Sequence, residues 1–133
     1  MKVLAVCLNP ALDREFVIDH FTLNKLSVVR NENNHMSPGG KGVNVAVILA
    51  KYGISSVVSG FVGGYVGHML ISELRKIGPL ISTSFVNIRD DTRENIAIED
   101  TVNHTLTEIN SEGPFINQDS IDIFLRRFEV LVQ

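Results

Sequence analysis

Apolar residues along this chain follow two different rhythms. Val3 to Leu8 is a short continuous apolar run, stopped by Asn9-Pro10, and Val57, Val58 and Phe61 mark a second run. Runs of that length predict strands buried on both faces. Val43 to Tyr52, rich in Val, Ile and Ala, predicts a helix buried on most sides and stopped by Gly53. Gly63-Gly64 opens another predicted helix, about Val66 to Lys76, closed by Gly78. Near the end, Ile121, Phe124, Leu125, Phe128 and Leu131 or Val132 recur close to every 3.6 residues, with Asn117 or Asp119 as the expected N-cap.

Between these elements, Glu15 to Ile18 and Val28 to Met36 are strand-like pieces of mixed polarity around an Asn24-Lys25 turn; Phe85 to Ile88 and Ile96 to Glu99 predict short strands, and the polar pieces recur near residue 95. Asp100 to Asn103 is expected to turn a hairpin into Thr105 to Ile109, and Ser111-Glu112-Gly113-Pro114 reads as a linker. Strand and helix alternating through short glycine-rich joints imply βαβ units and a parallel sheet. The polar strands suit no central parallel strand, so they predict a small second sheet built from two insertions.

Composition narrows the function classes. The 133 residues are 44% apolar and carry a formal charge of −3, with no basic run, which argues against non-specific nucleic-acid binding. Residues 1–8 are too short for a secretory signal, and no stretch has the apolar length of a membrane span. A single cysteine, Cys7, excludes an internal disulfide, fits a cytoplasmic protein and reads as an inert buried thiol. His20, His35, His68 and His104 have no metal-ligand spacing, and Asp90-Asp91 reads as a polar turn.

Ser37-Pro38-Gly39-Gly40-Lys41-Gly42, a loop by composition, carries the most chemistry. Its glycines leave backbone N–H groups bare to a ligand just before a helix N-terminus. The same composition also describes a flexible turn with a solvated lysine, and the residues alone leave both readings open. Two nucleotide-binding readings fail. Gly42 stands where a Walker A loop needs Ser or Thr, and the loop lies too far from the first strand for a dinucleotide fingerprint.

Gly39-Gly40-Lys41-Gly42-Val43-Asn44-Val45-Ala46, with Gly53 and Gly63 downstream, resembles the first signature of the ribokinase-like (PfkB-type) carbohydrate kinases. Leu8-Asn9-Pro10-Ala11-Leu12-Asp13 and Thr92-Arg93-Glu94-Asn95 resemble the 1-phosphofructokinase and tagatose-6-phosphate kinase branch. Phe61 to Gly67 looks closest to the tagatose-6-phosphate kinase side. The resemblance covers the chain from Met1 to its end.

The resemblance implies the N-terminal part of a doubly wound α/β domain with a small β-sheet lid, its strands inserted at about 13–36 and 94–110. It implies that Asp13 binds sugar hydroxyls, that Gly39, Gly40 and Asn44 line the sugar, and that Arg93 binds the substrate's phosphate with help from Lys41. Arg30 and Lys25 are weaker candidates, and Asn95 is expected to serve the lid backbone. The partners implied are a phosphorylated ketohexose, fructose 1-phosphate or tagatose 6-phosphate, and a second subunit paired through the lid. ATP and magnesium belong to the whole-length family. The family's Gly-Ala-Gly-Asp segment, with its base and anion hole, does not occur here, so no catalytic residue, nucleotide site or metal site is expected in this chain. The other reading is a non-catalytic remnant that binds a sugar phosphate or self-associates.

Overall fold

In a computed structural model describing residues 3–133, the chain forms two sheets and three helices; Met1 and Lys2, the first positions of the resemblance, lie outside the described residues. Strands β1 (Val3–Cys7), β4 (Ser56–Gly63) and β5 (Ile81–Ile88) form a parallel sheet in the order β1-β4-β5. Every residue of β4 is buried, which is why that segment needs no alternation: it is covered on both faces and paired on both sides.

Helices α1 (Lys41–Lys51) and α2 (Gly64–Ile77) cover one face. Ala5, Cys7, Val58, Val62, Ile81 and Phe85 meet Val43 and Ala46 of α1 and Leu70 and Leu74 of α2 there. Helix α3 (Gln118–Leu131) covers the other face, where Phe124 packs on Phe61 with ring centroids 5.2 Å apart beside Val86. Asn117 caps α3 by accepting from the Ser120 N–H, and Arg127 donates to the Phe85 carbonyl at 2.7 Å. Helices on both faces of a parallel sheet make the expected doubly wound α/β arrangement.

The second sheet is four-stranded, in the order β3-β2-β6-β7, with β2 (Ala11–Ile18), β3 (Asn34–Gly39), β6 (Arg93–Asp100) and β7 (Thr105–Asn110). β2 and β6 run parallel, while β3 and β7 flank them antiparallel.

Several expectations need correction. The glycine segment is no long loop: β3 runs through Pro38 to Gly39, and α1 begins at Lys41. Pro38 is tolerated because β3 is an edge strand, where a missing N–H leaves no ladder bond unmade. Helix α1 is not buried on most sides; Val43 and Ala46 are buried, but Val45 and Ile48 are about half exposed. Pro10 ends β1 only to begin a new strand, since β2 starts at Ala11. Val28 to Arg30 is irregular, and a single 3-10 turn at Asn31–Asn33 precedes β3.

Asp100 fastens the far end of the second sheet. Its buried carboxylate accepts from the N–H groups of His20, Phe21, Val102 and Asn103 and from the Asn103 side chain. These bonds, the Asn103 N–H foremost and against the opposing effect of burial, hold its carboxyl well below the ordinary aspartate range. A carboxyl depressed on folding stabilises fully above its unfolded value and loses that contribution as pH falls toward the folded one. Acid denaturation followed from pH 7 downward should therefore show a stability loss below the ordinary aspartate range. Asp100→Asn should be less stable at pH 7 and show a flatter acid limb; an unchanged acid limb in that variant would remove Asp100 from this role.

Candidate functional site

The register of β2 and β6 assembles the site. Ala11 pairs with Arg93 and Asp13 with Asn95, so Asp13, Arg93 and Asn95 lie on one face of the second sheet. The Asn95 Nδ2 donates to the Asp13 Oδ1 at 2.9 Å. Asp13 and Asn95 line a hollow of about 280 Å³ with Glu15, His35, Ser37 and Asn110.

Gly39 is required by the same carboxylate. A Cβ at Gly39 would stand 2.0 Å from the Asp13 Oδ2, so any side chain there would expel the carboxylate from its place. Gly40 precedes α1 at φ 104°, in the region that favours glycine, and a Cβ there would also press on the Cys7 Sγ at 2.7 Å. The segment that composition reads as a loop is therefore a tight strand-to-helix joint beneath Asp13.

Arg93 begins β6 where the two sheets meet. Its Nη2 donates to the Asn9 carbonyl at 3.1 Å and its Nη1 to the Ser111 carbonyl at 3.3 Å. Its Nε is shielded from solvent without a partner. The preceding Thr92 is buried and makes a reciprocal pair with Gly63: its Oγ1 accepts from the Gly63 N–H, and its own N–H donates to the Gly63 carbonyl, each at 3.0 Å. That pair anchors the β5–β6 joint to the β4–α2 joint and so sets where Arg93 starts.

The other candidates are not all gathered here. Asn44 borders a separate cleft of about 560 Å³ with Met36, Pro38, Val47 and Ile48; Ser37 borders both that cleft and the Asp13 hollow. Lys41 is exposed at the first position of α1. Arg30 lies with His20 and Asn33 at another hollow, and Lys25 is exposed just after the Leu23–Asn24 turn. Asn95 does not serve the backbone as expected; its partner is the Asp13 carboxylate. Asn9, which the sequence marks only as a strand stop and a motif position, donates from Nδ2 to the Glu112 carbonyl at 3.0 Å and so fixes the linker beside Arg93.

The β2–β6 register thus brings the glycine joint, the Asp13 carboxylate above it and Arg93 to one end of the second sheet. The pfkB family of carbohydrate kinases matches residues 10–122, and the chain belongs to that family. It is 33% identical over 129 residues to the 1-phosphofructokinase of Bacillus subtilis, covering 97% of this chain and 40% of that protein. A Thermotoga maritima structure given as a possible 1-phosphofructokinase is 50% identical, with a TM-score of 0.91 over 98% of this chain and 41% of that one. Escherichia coli phosphofructokinase-2, solved with fructose 6-phosphate, shares the fold at a TM-score of 0.82 and 23% identity, over 95% of this chain and 40% of that one. The chain thus spans about 40% of the length of these relatives.

Proposed function

We propose that this chain is the sugar-binding part of an ATP-dependent ketohexose-phosphate kinase that forms a bisphosphate from fructose 1-phosphate or tagatose 6-phosphate. The observation that carries this reading is the placement of Asp13 and Arg93 on one face of adjacent parallel strands. Asp13 faces Asn95, and Arg93 stands two residues before Asn95 on β6, which is about 7 Å along a strand. A carboxylate that accepts from hydroxyls and a guanidinium that pairs with phosphate are thereby set a hexose apart. Gly39 and Gly40 lie beneath the sugar, while Asn44 and Lys41 approach from α1 in the closed complex.

In this reading the second sheet is a lid, with strands inserted at about 13–36 and 94–110, and its surface pairs two subunits. Leu23, Leu26 and Val28 are 79%, 91% and 83% exposed, apolar side chains close in sequence that a second copy would cover. ATP supplies the phosphoryl group, with magnesium, in the whole-length enzyme. The residues here hold and orient the acceptor sugar, which is where much of the rate of a phosphoryl transfer arises. Among the described residues no cluster of three or more His, Cys, Asp or Glu could hold a metal. Among the described residues no helix is long and apolar enough to cross a membrane.

The test is calorimetric titration of the chain with fructose 1-phosphate, tagatose 6-phosphate and unphosphorylated fructose. Both sugar phosphates should bind at least about tenfold more tightly than fructose, since a charge-assisted pair is worth roughly 1.5–3 kcal/mol. The chain alone should transfer no phosphate from ATP. Equal affinity for fructose and its phosphates would sink the reading.

A further inference from the structure

Among the described residues, Asn95 is the one side chain that touches the Asp13 carboxylate through a hydrogen bond, and it does so from the neighbouring strand. A carboxylate only accepts, so the amide nitrogen of Asn95 must face it, and the orientation of the amide is fixed by chemistry. The two carboxylate oxygens are thereby made different. Oδ1 is held by Asn95, whereas Oδ2 lies over the bare Cα of Gly39, in the volume a Cβ would fill.

The arrangement is not what stability alone would select. The Asn95 Oδ1 is shielded from solvent and has no partner, and an unsatisfied buried oxygen is destabilising. A β-branched residue would suit a strand better at that position. Local rules broken without a structural gain concentrate at functional sites.

We infer that Asn95 is a positioning residue: it orients the Asp13 carboxylate so that Oδ2, above Gly39, is the oxygen that receives a sugar hydroxyl. The inference rests on the reading of Asp13 as the hydroxyl acceptor. Asn95 does not itself contact the sugar. It removes the rotation of the carboxylate that binding would otherwise have to freeze.

The test uses the 133-residue chain, titrated with fructose 1-phosphate and separately with inorganic phosphate. Asn95→Ala should weaken fructose 1-phosphate about tenfold, the lower end of the range for a hydrogen bond to a charged group, and leave inorganic phosphate unchanged. With Asp13→Ala already present, the same change should add little, because the two residues act as a unit. Equal loss for both ligands, or losses that add in full, would overturn the inference in favour of a general effect on stability. A second readout needs no ligand. One Nδ2 proton of Asn95 should show the NMR shift of a hydrogen-bonded amide and lose it in Asp13→Ala; an unmoved signal also overturns the inference. If that signal moves but the unaltered chain prefers no sugar phosphate over fructose, the kinase reading fails while the positioning of Asp13 stands. Should Asn95→Ala fail to fold, Asn95→Ser keeps a donor on a shorter arm and should show a smaller loss of the same selectivity.

Discussion

Arg93→Ala, made in the whole-length protein, should weaken the sugar phosphate about tenfold to a hundredfold while leaving the Michaelis constant for ATP nearly unchanged. The estimate follows from the roughly 1.5–3 kcal/mol of a charge-assisted hydrogen bond. The structure adds a second reason for a large effect. Arg93 bridges the Asn9 and Ser111 carbonyls, so its loss would also free the linker that Asn9 grips through Glu112. A guanidinium has five N–H donors, and these two bonds leave others for phosphate. Arg93→Lys should recover little, because one ammonium cannot span two carbonyls and present a planar fork as well. Steady-state kinetics with each substrate varied in turn decides the matter. Equal, small changes in both constants would remove Arg93 from the phosphate site.

The chain on its own should associate or bind hydrophobic dye. The basis lies in β1, which pairs with β4 on one side and with no other strand among the described residues. Val6 and Leu8 at its end are 39% and 54% exposed, and Val3, Leu4, Val57 and Leu131 border a small crevice beside it. An unpaired apolar strand edge is a template for another chain. β4, by contrast, is the middle strand and is buried throughout. The open edges are therefore β1 and β5. Size-exclusion chromatography with light scattering should show species larger than a monomer at micromolar concentration. Val6→Lys, which places a charge at the open strand, should shift the distribution toward monomer. A monodisperse unaltered chain with a sharp thermal transition would show that the described elements already close a sufficient core.

What could be read from the sequence divides by the range of the interactions involved. Asn117 was one of two expected caps, because capping is a matter of neighbouring residues. The two glycine-stopped helices and the buried run of β4 were legible for the same reason. Pro38 misled, because a proline beside two glycines looks like a loop until the strand is known to lie at an edge. Val45 and Ile48 misled because an apolar helix reads as buried whatever surrounds it. Asp13, Gly39 and Arg93 stood out through their motifs, but what each touches did not. The Asn95–Asp13 bond joins residues 82 positions apart and depends on a parallel register that no local pattern encodes. Asn44 shows the opposite limit: its motif suggests a sugar ligand, while the structure opens it onto a neighbouring cleft.

The parallel pairing of β2 with β6 also sets an order on folding. Ala11 and Arg93 become neighbours although β3, α1, β4, α2 and β5 lie between them in the chain. Closing so long a loop from the unfolded state costs entropy before the eight paired positions of β2 and β6 can offset it. Once β1, β4 and β5 have gathered with α1 and α2, the ends of β2 and β6 are already held close by Pro10 and by the Thr92–Gly63 pair. The second sheet then completes itself from a short gap. Its strands are expected to form late and to open before the parallel sheet, which amide hydrogen exchange would show as weaker protection in β2 and β6 than in β4.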